Sequence, residues 1–183
     1  KGVIVHSNFS KSLAQKWYGD KITESFTVIP LLRISSGNCD RTAARQSLSI
    51  DGDTFLVCSF GILGKSKLNN RLLQAWKDSQ LSKDPCCQLV FVGQNNDDEY
   101  SRMILEMIKN NDLESQVKIT GWASKELFNN YLASADIAVQ LRTKSRGETS
   151  AAVLDCMNYG VPTIINANGA MADLPKNAVY MMP

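Results

Sequence analysis

Residues 60–67 read Phe60-Gly61-Ile62-Leu63-Gly64-Lys65-Ser66-Lys67. An apolar run precedes them and a helical pattern follows. That places them in a loop at a strand's carboxyl end, where open α/β sheets bind ligands. Gly61 and Gly64 let the backbone approach a ligand, and Lys65 and Lys67 can neutralise a phosphate. A tight β-α turn with solvated lysines fits the same residues, because the spacing is neither that of a Walker loop nor G-x-G-x-x-G. A second stretch, residues 141–155, places Arg142, Lys144 and Arg146 in a short loop, with Gly147, Glu148 and then a helix opening near Thr149. Ser150, Ala151 and Ala152 keep that first turn small, so a pyrophosphate can reach free N–H groups at the positive end of the helix dipole. The plainer reading is a capped helix with Glu148 in its first turn and the basic residues in water. The small turn and the three cations together favour an anion site. Glu148 and Asp155 are seven positions apart, about 10 Å along a helix, so they share a face without touching. That suits two contacts to one extended ligand better than a proton relay.

Other residues carry weaker signals. Trp122, in Thr120-Gly121-Trp122-Ala123-Ser124, can stack on a planar base, although capping the core is the commoner use of an indole. His6 is the only histidine; it ends a strand and either serves structure or faces a cleft. The five cysteines are Cys39, Cys58, Cys86, Cys87 and Cys156, with no zinc spacing among them. Cys58 and Cys156 lie in apolar or helical runs and read as small core residues. A reducing compartment fits this cysteine usage.

The elements that must position these residues alternate. Strands are expected over 3–6, 26–29, 55–60, 88–92, 116–120, 136–141, 163–167 and 178–181. Helices are expected over 8–18, 41–48, 68–80, 98–110, 124–133 and 149–158, with a short piece over 170–174. Leu89-Val90-Phe91-Val92 is continuously apolar, as a parallel strand buried on both faces must be. Tyr100, Met103, Ile104, Met107 and Ile108 recur at helical spacing. The pattern predicts an α/β fold with a doubly wound parallel sheet, preceded by a short β-α-β piece. Gly160 stops one helix and Pro162 opens the next segment, while Ser124 caps another helix. The polar stretch between Pro30 and Asp40 reads as a hinge.

The chain has 183 residues, about one domain's worth. Hydrophobic residues make up 44% and the net charge is +2, so the balance of Lys and Arg against Asp and Glu carries no nucleic-acid signature. No apolar run reaches the roughly 20 residues that span a bilayer. Composition argues against fibrous, disordered, disulfide-scaffold and integral membrane classes. The sequence opens at Lys1 and closes at Pro183 within apparent secondary structure, which suggests a fragment.

Four stretches resemble one family. They are Val3-Ile4-Val5-His6-Ser7, Val28-Ile29-Pro30, Phe91-Val92-Gly93, and Arg146-Gly147-Glu148-Thr149-Ser150 continuing through Asp155-Cys156-Met157-Asn158-Tyr159-Gly160-Val161-Pro162-Thr163-Ile164. Together they resemble the group 1, retaining GT-B glycosyltransferases that use nucleotide sugars. The resemblance covers essentially the whole chain. It implies that residues 1–33 are the end of an acceptor domain with its hinge. Residues 34–183 are then a Rossmann-like donor-binding domain, truncated at its C-terminus. The family has two Glu eight positions apart; Asp155 stands at the second, Gly147 at the first, and Glu148 one place off. Lys67 keeps the family's phosphate lysine, while Ile62 stands where its arginine falls, with Arg142 or Arg146 able to supply that charge.

By this resemblance, the protein transfers a hexose from a nucleotide sugar to a glycan or lipid-linked acceptor with retention, in polysaccharide biosynthesis. Lys67 and Glu148 are the implied catalytic residues. Gly61, Gly64, Trp122, Arg142, Arg146, Gly147, Thr149, Ser150, Ala151, Ala152 and Asp155 are the implied donor-binding set. Asp155 accepts from ribose hydroxyls and Glu148 from the donor sugar. No cofactor and no metal is implied, since protein cations attend the leaving diphosphate, and no nucleic-acid partner is implied. The implied location is cytoplasmic, with attachment at the inner face of the membrane available through regions outside this chain. The fragment alone is expected to bind donor without turnover. Two other functions compete. A nucleotide-sugar epimerase of similar architecture needs acid and base groups in the cleft. A non-catalytic α/β ligand-binding module draws support from Ile62 and Gly147.

Overall fold

The computed structural model describes residues 2–34, 36, 37 and 39–182. The leading piece is β1 (Val3–Val5), α1 (Asn8–Tyr18), a single helical turn α2 (Asp20–Thr23) and β2 (Phe26–Val28). Strands β1 and β2 pair in parallel as a sheet of their own. Ser7 caps α1 through a bond from the Ser10 amide, one of the early helix amides that have no partner within the helix. The polar stretch of residues 30–40 follows as coil; Ser35 and Asn38 within it lie outside the described residues.

From there strands and helices alternate. They are α3 (Arg41–Ser47), β3 (Phe55–Phe60), α4 (Asn69–Asp78), β4 (Cys87–Val92), α5 (Glu99–Lys109), β5 (Val117–Ile119), α6 (Lys125–Ser134), β6 (Ile137–Gln140), α7 (Ala151–Asn158), β7 (Thr163–Asn166) and β8 (Tyr180–Met182). The six strands form one sheet in the order β5-β4-β3-β6-β7-β8, every neighbouring pair parallel. Strands β3 and β6 are adjacent although far apart in sequence, so the order reverses between them. The loops leaving those two strands therefore flank a crevice, the usual ligand position of a doubly wound sheet.

Side-chain alternation along the strands builds a core on each face. Val57, Leu89 and Phe91 pack with Leu73 and Trp76 of α4 and Ile104 of α5. Leu56, Cys58, Phe60, Val90 and Val92 pack with Leu132 of α6 and Cys156 of α7. Covering both faces explains why these strands read as unbroken apolar runs. Cys58 and Cys156 are both fully buried, as the sequence predicts. Burial pushes both thiols up, Cys156 to about 12, so they stay protonated and inert.

A buried guanidinium ties the edge of the domain. Arg45 of α3, 6% exposed, donates to the carbonyls of Asp51, Gly52 and Thr54 and to the Asp136 carboxylate. Asp136 in turn accepts the Leu56 amide at 2.7 Å and Arg41 at 2.6 Å, which pins the start of β3 against the start of β6. Among the described residues no helix is long and apolar enough to cross a membrane.

Most element boundaries shift by one or two residues from expectation, and three of the differences lie in the segments that follow β3, β6 and β7. The 149–158 helix begins at Ala151, with Ser150 as its N-cap. Residues 65–67 form a 3-10 turn of their own before α4. The piece expected over 170–174 is a 3-10 turn, Gly169–Asp173.

Candidate functional site

The crevice is built on close approaches that only glycine permits. Gly61 leaves β3 with φ +102°, and a Cβ there would stand 2.3 Å from Lys67 Nζ. The Lys67 ammonium therefore lies over the Gly61 backbone. Gly93 leaves β4, and its Cβ would stand 2.4 Å from the Gly61 carbonyl oxygen. Side chains at either position would push the lysine or the loop away. At Gly64 the backbone is extended and the space beside it is open. Its amide donates to the buried Asn69 side chain at 3.0 Å, which fixes the turn carrying Lys67.

The second loop folds onto the first. Thr143 donates its amide to the Ser66 carbonyl at 2.9 Å. The Asn166 amide side chain, from the end of β7, grips the Arg142 backbone on both sides at 2.8 and 2.7 Å. Arg142 is brought near enough to Lys67 to repel it. Burial first, and that repulsion second, lower the Lys67 ammonium to about 8. Two cations held together and partly desolvated form a site that an anion relieves. Arg146, on the same loop, borders the leading piece. It lines a groove with Leu13, Ala14 and Trp17 of α1.

Helix α7 opens beside this loop. The expected small turn is real but shifted by the cap. The Ser150 hydroxyl accepts the Val153 amide, so Ala151 and Ala152 supply the first-turn N–H groups instead of Ser150 to Ala152. Thr149 lies before the cap, its buried hydroxyl without a hydrogen-bond partner.

The two carboxylates have occupants. Glu148 accepts the Arg146 amide at 2.6 Å and Arg142 Nη1 at 3.4 Å, so it braces its own loop. It sits outside the helix, and the shared helical face expected for Glu148 and Asp155 does not exist. Asp155 is the fifth residue of α7, about 6 Å along the axis from Ala151. It is paired bidentately with Arg33, at 2.7 and 2.9 Å. Gly147 has φ +100°, and its carbonyl accepts the Ser10 hydroxyl of α1. A side chain at 147 would point toward Leu13 and Ser10. Trp122 is 78% exposed on its loop and caps no core. His6 is exposed and donates through Nδ1 to the Ile29 carbonyl at 2.8 Å.

Gly61, Lys67 and Arg142 thus meet at the crevice, and the loop that carries Arg142 runs on to the start of α7. Three residues that hold these loops and α7, Asn166, Asn69 and Arg33, have no signature in the sequence. Asn166 and Asn69 carry no local motif, and Arg33 lies 122 positions from its partner. Gly93 stood in the Phe91-Val92-Gly93 strand end, but its contact with Gly61 was not legible.

The family described as glycosyl transferases group 1 matches residues 40–181. Among solved structures, Anabaena HepE in complex with UDP and glucose superposes with a TM-score of 0.79 at 20% identity, over 95% of this chain and 46% of that one. WaaG, a glycosyltransferase involved in lipopolysaccharide biosynthesis, gives 0.81 at 18% identity over 98% of this chain and 48% of that one. The C-terminal domain of the group 1 family protein LpcC from Francisella tularensis gives 0.68 at 19% identity, over 82% of this chain and 80% of that domain. The chain thus spans less than half the length of the HepE and WaaG chains. No curated protein matches it.

Proposed function

We propose, from the premise that the chain belongs to the group 1 glycosyl transferases, that its crevice binds a nucleotide sugar. The protein then transfers the sugar to a glycan or lipid-linked acceptor with retention of configuration. The observation that carries this reading is that Lys67 and Arg142 are held close together on the loops leaving the two strands where the sheet order reverses. Glycosyl transfer breaks the bond between the sugar's anomeric carbon and a diphosphate oxygen, and the electron pair stays on that oxygen. Charge grows there in the transition state, where preorganised donors act most strongly. Lys67, Arg142 and the Ala151 and Ala152 amides are donors of the right kind, and protein cations carry the charge without a metal. Arg142 replaces the arginine absent at Ile62.

In this reading Asp155 contacts the ribose and exposed Trp122 is free to meet the base. The division at residues 33 and 34, and a cytoplasmic site of action that includes the inner membrane face, belong to the same proposal. UDP in the HepE structures supports a nucleoside diphosphate as the ligand class. One feature favours a narrower role. Gly147 and the self-braced Glu148 leave the donor sugar without the carboxylate expected from resemblance, so Glu148 acts through Arg142. A module that binds donor without transferring it would share that feature.

The deciding experiment incubates the intact protein with UDP- and GDP-sugars and candidate glycan or lipid-linked acceptors. Release of nucleoside diphosphate should depend on acceptor, with an unchanged anomeric configuration by NMR. Epimerised nucleotide sugar formed without acceptor, or binding with no transfer to any acceptor, would contradict the transferase reading.

A further inference from the structure

The segment joining β2 to α3 runs along α7 and is fastened to it by side chains. Asn158 Nδ2 donates to the Ile34 carbonyl at 2.9 Å, and the Ser36 hydroxyl donates to the Asn158 carbonyl at 3.1 Å. Arg33, on the strip so held, meets Asp155 fork to fork, Nε to Oδ1 at 2.7 Å and Nη2 to Oδ2 at 2.9 Å. The pair is neither sealed nor free: the two side chains are 28% and 23% exposed. They border a cavity of about 380 Å³ together with Lys125, Phe128 and Asn129, within the size range of small-molecule sites.

An ionised carboxylate offers about four lone-pair positions. The guanidinium fork takes one on each oxygen and leaves one on each. A half-open carboxylate without a fixed partner turns about its terminal torsion, and a ligand that engages it must first stop that motion. A bidentate arginine removes that cost, because its planar fork sets the carboxylate plane. We propose that Arg33 is a positioning residue for nucleotide recognition. It fixes Asp155 so that the remaining lone pairs accept the vicinal 2′- and 3′-hydroxyls of the donor's ribose. This rests on the reading of Asp155 as the ribose contact. Asp155 has only two side-chain torsions, and the strap that crosses the helix at its carboxylate holds it through the Arg33 fork.

The test is calorimetric titration of the intact protein with UDP, GDP and ADP. The tightest binder is carried forward with its 2′-deoxy counterpart and with inorganic pyrophosphate. Arg33→Ala should weaken the ribonucleoside diphosphate about tenfold, the scale of one hydrogen bond to a charged group. It should drive the ribo-to-deoxyribo affinity ratio toward one and leave pyrophosphate unchanged. Arg33→Lys keeps the charge without the fork and should recover only part of the loss. Tighter nucleotide binding by Arg33→Ala would mean that Arg33 competes with ribose, and would overturn the proposal. An unchanged affinity, a loss shared equally by pyrophosphate, or full rescue by lysine would overturn it too. Asp155→Asn separates the two levels. If it leaves the ribo-to-deoxyribo ratio intact, or if none of the nucleotides binds, the ribose reading itself fails. If it collapses the ratio while Arg33→Ala does not, only the positioning role fails.

Discussion

At Lys67 two unfavourable terms meet, burial of an ammonium and the nearby Arg142 guanidinium, and together they lower it from 10.5 to about 8. Between those values the unfolded chain binds more protons than the folded one. This group's contribution to stability therefore rises with pH across that window, and its burial penalty is fully present below pH 8. Binding runs the other way. A diphosphate needs the ammonium, so nucleoside diphosphate affinity should fall as pH climbs through about 8, while Lys67→Arg, which stays charged, should flatten the profile. Titrations at pH 7 and 9 check this. Arg45 makes a different residue-scale prediction. Arg45→Met removes a buried cation that serves Asp136 and the Asp51, Gly52 and Thr54 carbonyls. It should cost about 3–5 kcal/mol in denaturant unfolding, the scale for breaking a buried pair. Neither residue's surroundings were legible in sequence. Lys67 stood out by its loop, but its partner Arg142 lies across the crevice, and Arg45 sits in an unremarkable helical pattern.

Among the elements, the ends of β3 and β4 hold the site open at Gly61 and Gly93. Gly93→Ala sets a methyl 2.4 Å from the Gly61 carbonyl, which is backbone and cannot step aside cheaply. About 1–3 kcal/mol of stability should be lost, as for other overpacked sites, with a weakened diphosphate site measured on the same variant. The strands themselves were readable, because a parallel strand covered on both faces must be apolar throughout, as Leu89 to Val92 are. Helix α5 was readable through its one apolar stripe, and Gly160 marked the end of α7 through its positive φ. Helix starts were harder. Thr149 and Ser150 are both capping types, and only the bond from the Val153 amide decides for Ser150. The one-turn α2 is too short to show a period. The occupied states of Glu148 and Asp155 depend on contacts made after folding, which no spacing rule encodes.

For the molecule as a whole, the leading piece closes on the six-stranded domain through α1. The Phe9 amide, near the positive end of α1, donates to the Asp173 carboxylate at 2.9 Å, and the Ser10 hydroxyl donates to the Gly147 carbonyl. Both acceptors lie on loops at the carboxyl ends of the sheet, so these bonds set how the piece sits over the crevice. Asp173→Asn combined with Ser10→Ala should speed amide exchange at the start of α1 and leave protection of β3 and β4 unchanged. The central claim is that Lys67 and Arg142 form a diphosphate site of a nucleotide-sugar enzyme. Calorimetry of UDP and UDP-glucose binding at fixed salt, comparing the wild-type protein with Lys67→Ala, tests it most directly. The account predicts saturable binding by the wild type and a loss of about 1.5–3 kcal/mol in the variant, the range for a charge-assisted bond. Equal affinity in the two proteins would contradict it.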